Sequence, residues 1–241
     1  MQGHPIRIGT AGWSIPAAHA AHFPPDGSHL ARYAARLPAA EINSSFYRPH
    51  RPATYARWAE TVPEDFRFAV KVPKEITHGL QLVQAEAPLA RFLEEVRSLG
   101  SKLGPLLLQL PPSLDFRPEV LNTFLDTLRA RFDGPLVCEP RHPSWFAGEA
   151  DALLAAHGIP RVAADPPPAP GAARPGGAAT LRYWRLHGSP RRYYSPYAPE
   201  RLDRLAALLR EADAESWVIF DNTAEFHAAG DALSLMARLT P

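Results

Sequence analysis

Residues 105–110 read PLLLQL, a run that is apolar on both faces and bounded by prolines. Such a run is typical of a parallel strand buried between the interior of a sheet and an outer layer of helices. WVIF at residues 217–220 has the same character, and shorter β-type runs recur along the chain. Eight runs result, at residues 6–13, 40–47, 67–73, 105–111, 135–141, 161–165, 181–188 and 216–222.

Helical patterns separate most of these runs. Residues 119–131, for example, place Val120, Leu121, Phe124, Leu125 and Leu128 on one face and follow a proline, which suits the first position of a helix. The predicted helices span residues 30–36, 53–61, 88–99, 119–131, 146–157, 200–212 and 225–239.

Eight alternating units predict an α/β fold, a single (β/α)8 TIM-type barrel formed by one domain over residues 1–241. The sixth helix is the exception, because residues 166–179 read PPPAPGAARPGGAA and predict a Pro/Gly-rich loop. An open doubly wound sheet is the alternative fold, but no G-x-G-x-x-G follows the first run.

Composition argues against several classes of function and disfavours nucleic acid as a partner. Lys and Arg total 26 against 25 Asp and Glu, so no global field attracts nucleic acid or an anionic membrane. The single Cys138 cannot form an intramolecular disulfide, and no apolar run reaches the length of a membrane span. The first residues do not resemble a signal peptide, so we expect a cytoplasmic protein. The oligomeric state stays open.

Polar residues gather at the carboxyl ends of the predicted strands. In a barrel, inward residues at these ends form the floor of the active site, and charged groups there are costly without partners or a ligand. A salt-bridge network that serves only the fold is the alternative interpretation. The residues concerned are Glu41, Asn43, Lys71, Gln109, Glu139, Arg141, His142, Asp165, Arg185, His187, Asp221 and Asn222.

The segment CEPRHP at residues 138–143 is the most specific of these stretches. Glu139 and Arg141 lie two residues apart and therefore share one face of the strand. In a functional interpretation, Arg141 fixes an anionic or carbonyl oxygen while Glu139 transfers a proton or orients a hydroxyl. In a structural interpretation, the two neutralise each other inside the barrel.

The first hypothesis for function is an enzyme that performs metal-independent acid–base chemistry, as a hydrolase, isomerase or lyase, without a cofactor. Neighbouring cations keep some carboxylates ionised while burial raises the pKa of others, which suits separate acid and base roles. The ligand would be small and polar or anionic, held by Lys71, Arg141 and Arg185. The catalytic candidates are Glu139, Asp165, His187 and Asp221.

Two other hypotheses remain open. Glu139, His142, Asp165, His187 and Asp221 are possible ligands of a divalent ion in a metal-dependent hydrolase or isomerase, although no H-x-H or H-E-x-x-H motif is present. The loop SPRRYYSPY at residues 189–197 mixes arginines with tyrosines, which could stack on bases in a non-catalytic nucleic-acid or protein binder. A lid over the barrel mouth is the interpretation that we prefer for this loop.

The motifs, in this order, resemble the YecE-like family, also known as domain of unknown function 72. The resemblance covers nearly the whole chain and implies a TIM-type barrel without a settled activity. It marks His78 in addition to the strand-end residues above. The matching stretches are IRIGTAGW at 6–13, EINSSFYRPHRPATYARWAE at 41–60, FRFAVKVPKEITH at 66–78, GPLLLQLPPSL at 104–114, EPRHPSW at 139–145, the strand ending in Asp165, YWRLHG at 183–188 and VIFDNTA at 218–224.

Overall fold

The computed structural model describes residues 4–240, which form one ten-stranded sheet surrounded by helices. Each of the eight predicted runs contains a strand. The strands are β1 (Ile6–Ala11), β2 (Ala39–Ile42), β3 (Arg67–Lys71), β4 (Leu103–Gln109), β5 (Leu136–Glu139), β6 (Pro160–Arg161), β7 (Ala163–Asp165), β8 (Gly176–Gly177), β9 (Arg182–Leu186) and β10 (Ser216–Phe220).

The sheet is nearly closed and barrel-like. Its strand order is β7-β9-β10-β1-β2-β3-β4-β5-β6-β8, and every pairing is parallel except that of β6 with β8. Only Val162 separates β6, which pairs with β5, from β7, which pairs with β9. The parallel part of the sheet therefore begins and ends with strands, β7 and β6, that are one residue apart along the chain. The sequence predicted eight strands, and the difference arises from the division at Val162 and from the short β8.

The predicted helices are present between the strands. They are α1 (His29–Ala34), α2 (Pro52–Thr61), α3 (Glu86–Val96), α4 (Pro118–Arg129), α5 (Gly148–Ala156), α6 (Pro199–Arg210) and α7 (His227–Leu239). As predicted, residues 166–179 contain no helix. No helix among residues 4–240 is long and apolar enough to cross a membrane.

Short helical turns follow several strands. The alternation of side chains between the two faces, which was used to predict the site, holds only as far as each strand extends. The run at residues 40–47 is strand only as far as Ile42, and a 3-10 turn at Ser44–Phe46 continues it. A π-helical turn at Glu75–Gly79 lies beyond β3, and a 3-10 turn at Pro143–Phe146 lies beyond β5.

Side-chain alternation divides the core into two layers. Between the sheet and the helices lie residues such as Ile8, Val70 and Leu108. Inside the sheet lies a smaller apolar cluster of Ala39, Ala69, Leu107, Val137, Val162, Leu181, Tyr183, Trp217 and Ile219. This inner cluster is the apolar base on which the polar site rests.

A glycine is required beside this inner cluster. A Cβ added to Gly104, near the start of β4, would lie 2.7 Å from the indole of Trp217. The indole stacks on the ring of Tyr183, with the planes 7° apart and the centroids 6.0 Å apart. The closely packed rings fill the interior beneath the charged residues, so water has little room below the site.

Candidate active site

Arg185 is the centre of a charge network inside the sheet. Its guanidinium donates through Nε and Nη2 to the two carboxylate oxygens of Glu41, at 3.0 and 2.7 Å. Nη1 donates to Glu139 Oε2 at 2.8 Å, and Nη2 also donates to Asp221 Oδ2 at 2.9 Å. One cation on β9 is therefore shared by three carboxylates that come from β2, from β5 and from the end of β10.

Burial strengthens the electrostatic interaction between Arg185 and the three carboxylates. Arg185 is 1% exposed and Glu41 is fully buried. Burial opposes the charge of Arg185, but Glu41, Glu139 and Asp221 raise the pKa of its guanidinium well above the ordinary value. Burial would likewise raise the pKa of Glu139, yet Arg141, Arg185 and His187 hold that pKa well below its usual range. Arg185 is thus cationic and Glu139 anionic at neutral pH.

His187 and Arg141 complete the network. The imidazole of His187 lies between two carboxylates, with Nδ1 3.1 Å from Asp221 Oδ2 and Nε2 3.1 Å from Glu139 Oε1. Arg141 Nη2 is 2.5 Å from Glu139 Oε1 and 2.9 Å from His187 Nε2. The ring of Tyr193 packs edge-on against that of His187, with the centroids 5.5 Å apart. We call these residues (Glu41, Glu139, Arg141, Arg185, His187 and Asp221) the Arg185 network.

A few polar groups lie closer to the solvent, and we call them the mouth face. Lys71 and Asp221 are 6% exposed, and Gln109 and Arg141 are 9% exposed, whereas Glu139 and His187 are fully buried. All four face the interior at the carboxyl ends of their strands, where Gln109 is the register partner of Glu139. The mouth face is the most exposed part of this polar region.

Some atoms of the mouth face have no partner within residues 4–240. Arg141 Nε is buried without a hydrogen bond. The ammonium of Lys71 makes no hydrogen bond or ion pair in the same part of the chain, and it lies 3.9 Å from the ring centroid of Phe46. Asp221 uses Oδ2 for both of its contacts, which leaves Oδ1 free. Burial, followed by the charge of Arg185, lowers the pKa of Lys71 to about 8.

His78 lies beside the mouth face. Its ring packs edge-on against Phe46 with the centroids 5.0 Å apart, and its Nδ1 is 2.9 Å from Thr77 Oγ1. Burial and the charges of Lys71, Lys74 and Arg141 lower the pKa of His78 to about 4. His78 is therefore neutral at physiological pH. Phe46 is not among the residues predicted for the site, and its only signal in the sequence is an aromatic residue directly after a polar strand end.

Asp165 does not join the network, contrary to our prediction. Its carboxylate lies 3.1 Å from Arg201 Nη2. It borders a cavity of about 240 Å³ outside the sheet, together with Trp184 and Tyr197. Because Val162 faces the interior, alternation turns Ala164 inward and Asp165 outward.

Asn222 and His142 are also displaced from the predicted site. Since Asp221 faces inward, its neighbour Asn222 faces outward, where its amide donates to Ser195 O at 3.0 Å and Asp231 Oδ2 at 2.7 Å. His142 lies beyond the end of β5 and caps the following turn, with Nδ1 accepting from the amide of Ser144 at 3.3 Å. Both residues hold loops in place.

Two predicted amides have intermediate positions. Gln109 Nε2 donates to the carbonyl of Leu110 at 2.9 Å, so it is fixed beside the mouth face. Asn43 is half-buried, and its Oδ1 is buried without a hydrogen-bond partner among the described residues.

The five residues considered as metal ligands are dispersed. His142 and Asp165 lie away from Glu139, His187 and Asp221, whose oxygens and nitrogens contact one another and the arginines. Within residues 4–240 no set of three His, Cys, Asp or Glu side chains is grouped as metal ligands would be.

The loop after β9 closes over one side of the network. Tyr193 contacts His187, while the guanidinium of Arg191 stacks on Tyr194 at 3.7 Å. Tyr197 is buried, and its hydroxyl accepts from the amide of Gly188 and donates to the carbonyl of Asp165. At least one of these tyrosines therefore anchors the loop to the sheet.

The chain is similar to proteins that have no assigned activity. A family model described as "Protein of unknown function DUF72" matches residues 7–241. UPF0759 protein YecE of Escherichia coli K12 is 34% identical over 129 residues, which cover 52% of this chain and 46% of the relative. UPF0759 protein YunF of Bacillus subtilis is 28% identical over 151 residues, which cover 59% and 52%. The match thus spans about half the length of these curated relatives.

A crystal structure of a DUF72 family protein from Thermotoga maritima superimposes over almost the full length. It is 26% identical, with a TM-score of 0.80, and the match covers 98% of this chain and 99% of that chain. The likeness extends the family match to the architecture of the nearly closed sheet.

Proposed function

The chain belongs to the DUF72 family, as its motifs predicted, and from its site we propose that it is an enzyme performing metal-independent acid–base chemistry on a small polar or anionic ligand at the mouth face. The observation that carries this proposal is the contrast in hydrogen bonding. The buried part of the site is saturated, while Lys71, Arg141 Nε and Asp221 Oδ1 lack partners within residues 4–240.

Unpaired polar groups at low exposure cost free energy, and a ligand that supplies their partners would recover it. Two of the groups are cationic donors and the third is a carboxylate acceptor. A ligand oxygen that carries negative charge fits the donors, and a hydroxyl or a transferable proton fits the acceptor. This combination supports an oxygen-bearing polar ligand.

The contacts also support a division of roles. Asp221 and Lys71 are the groups that we propose to exchange protons with the ligand. We propose positioning roles for Glu139 and His187, since both are fully buried and their polar atoms already have partners. Arg185 and Glu41 would then fix the positions of Glu139 and His187. Arg141 would bind the ligand through Nε.

We further propose that the surrounding fold is a (β/α)8 barrel in which residues 160–165 act as one strand. Its support is the pairing of β6 with β5 and of β7 with β9 on either side of Val162. A cytoplasmic location is proposed on chemical grounds, because Cys138 is the one cysteine of the chain and is buried.

The activity can be tested with a mixture of small anionic and neutral metabolites, analysed by mass spectrometry in the presence of EDTA. We expect the wild-type protein to consume at least one compound, and Asp221→Asn to lose roughly 10²–10⁴-fold of that rate. Asp213→Asn is the matched control, since Asp213 is exposed at the opposite end of the sheet.

Equal rates of consumption by Asp221→Asn and wild type would show that Asp221 does not exchange a proton with the ligand. Consumption that appears only after a divalent metal is added would overturn the metal-independent proposal in favour of the metal-dependent alternative.

A further inference from the structure

We propose that Lys71 is a nucleophile that forms an imine with the carbonyl carbon of a ligand, and that Arg141 holds an anionic group of the same ligand. This inference deepens the proposed function and rests on it for the location of the site. It identifies the ligand class as an aldehyde or ketone that carries a carboxylate or a similar anion.

The first support is that the Lys71 ammonium makes no hydrogen bond or ion pair with a carboxylate among residues 4–240. Glu41, Glu139 and Asp221 all turn their oxygens to Arg185. Lys71 instead packs its Nζ over the ring of Phe46, 3.9 Å from the centroid. A lysine that serves only to balance charge would be expected to contact one of these carboxylates.

The second support is the choice of residue. The chain has three lysines and 23 arginines. A guanidinium stays protonated in proteins, whereas an ammonium can lose its proton and become a nucleophile. In a chain that otherwise uses arginine for its cations, the unpaired cation of the mouth face is the one that can deprotonate. The pKa of about 8 agrees with this role, and its causes are burial and then Arg185.

The third support is the arrangement of neighbours around Lys71. Arg141 Nε is buried without a partner within residues 4–240, so it can donate to an anionic group of the ligand. On the same face, Asp221 Oδ1 is free to accept and return a proton. Imine formation requires a carbonyl electrophile, an amine nucleophile and a proton relay, and the protein supplies the last two in Lys71 and Asp221. Arg141 adds a holder for an anionic group of the ligand.

The chemistry balances without an oxidant or a reductant. The neutral amine of Lys71 adds to the carbonyl carbon, a C–N bond forms, and the π electrons move to oxygen. One N–H proton then passes to that oxygen through Asp221 Oδ1, which gives a carbinolamine. The proton that the Lys71 ammonium lost to solvent on becoming a neutral amine is returned from solvent to the hydroxyl, which breaks the C–O bond and releases water. The nitrogen lone pair forms the C=N bond, and the protonated imine keeps the second N–H proton.

The test uses glyoxylate, an aldehyde that carries a carboxylate, with cyanoborohydride to reduce any imine to a stable amine. Peptide mass mapping then compares the three lysines of the intact wild-type protein. Lys74 is exposed, while Lys102 is buried and paired with Glu64, so both are internal controls. We expect Lys71 to be modified at least about tenfold faster than Lys74, because a lower pKa leaves more of its amine neutral. Modification of Lys71 at or below the rate of Lys74 would overturn the proposal.

Acetaldehyde, which has no anionic group, tests the role of Arg141. Arg141→Met should slow the labelling of Lys71 by glyoxylate and leave labelling by acetaldehyde unchanged. If the two probes slow equally, or neither slows, the anion-holding role of Arg141 is wrong.

Lys71→Arg separates this inference from the proposed function, because it keeps the charge and cannot form an imine. If Lys71→Arg still turns over the compound that the wild type consumes, both the nucleophile and the proton-exchange role of Lys71 are refuted, while acid–base chemistry at Asp221 stands. If Lys71 of the wild type is labelled selectively but no compound is consumed, the nucleophile is supported and the acid–base enzyme fails.

Discussion

The two ends of the barrel-like sheet each hold a buried lysine, and the two ammonium groups differ in whether they have hydrogen-bond acceptors. Lys102, next to the amino end of β4, and Lys71, at the carboxyl end of β3, are both 6% exposed. Lys102 donates to the carbonyl of Pro63 at 2.8 Å and to Glu64 Oε2 at 3.0 Å. Lys71 has the face of Phe46 and no acceptor within residues 4–240.

The same contrast holds for the arginines on strand β9. Arg182, at its amino end, pairs with the exposed Asp213 at 3.1 Å. Arg185, three residues later, is shared by three buried carboxylates. Ion pairs at the amino end are partly exposed and contribute little to stability. Charges at the carboxyl end are buried and interdependent, so this end carries both the large electrostatic energies and the unpaired groups that a ligand would use.

The largest test of this contrast removes the shared cation. Arg185→Leu leaves Glu41, Glu139 and Asp221 buried around an apolar side chain, and we expect it to lower the free energy of unfolding by about 5 kcal/mol. Arg182→Leu, on the same strand, should lower it by less than about 1 kcal/mol. Urea unfolding of both variants measures the difference. Similar losses would mean that the two ends are not energetically distinct.

A smaller effect is expected for Glu139→Gln, about 3 kcal/mol at neutral pH, because the variant leaves Arg141 and Arg185 without a buried counter-charge. The pH dependence supplies a second measurement. The pKa of Glu139 is lowered in the folded protein, so its stabilisation is complete above the unfolded pKa of about 4.3 and is lost as the pH falls through the lower folded pKa. The stability difference between wild type and variant should therefore shrink below about pH 4.

Urea unfolding of Glu139→Gln across this range provides the check. A variant as stable as wild type at neutral pH would support the interpretation in which Glu139 acts on the ligand directly. Glu215→Gln is the control at the amino end, where Glu215 pairs with Arg7 at 2.6 Å.

The smallest expected effects concern the two lysines, and they have opposite signs. The lowered pKa of Lys71 means that the fold disfavours its charged form, so Lys71→Met should raise stability at neutral pH by about 1 kcal/mol. Lys102→Met removes two hydrogen bonds and should lower stability by about 1 kcal/mol. Thermal melts of the two variants give the signs, and a destabilised Lys71→Met would show that the ammonium has a stabilising partner.

The sequence predicted the strands well because apolar runs such as PLLLQL are bounded by prolines and glycines, which mark their limits locally. The inward residues that lie within the strands were also predictable, since Glu41, Glu139 and Arg185 follow the alternation of their strands. The DUF72 match agrees with the resemblance found in the motifs.

The errors occurred at strand ends, where residues were assigned to the site by their position and not by the face on which they lie. Asp165 is one residue out of phase with the inward positions Val162 and Ala164, and Asn222 is one residue out of phase with Asp221. A turn beyond β5 displaced His142. The sequence also paired Glu139 with Arg141 because they are two residues apart. It did not indicate that Arg185 is the common partner, since its carboxylates come from strands that meet only in three dimensions.

The sharing of Arg185 has a consequence for how this protein can diverge over time. A mutation of Arg185, Glu41 or Glu139 alone leaves the other buried charges without a partner. Any evolutionary path that changes one of them at a time therefore includes a poorly folded intermediate protein. Compensating changes would have to arise together, which makes them rare. No charged group of the Arg185 network pairs with Gln109 or Lys71, so mutations of these two residues should preserve the folded state. Proteins that descend from this one should therefore change the residues of the mouth face, and with them the ligand, while they keep the Arg185 network.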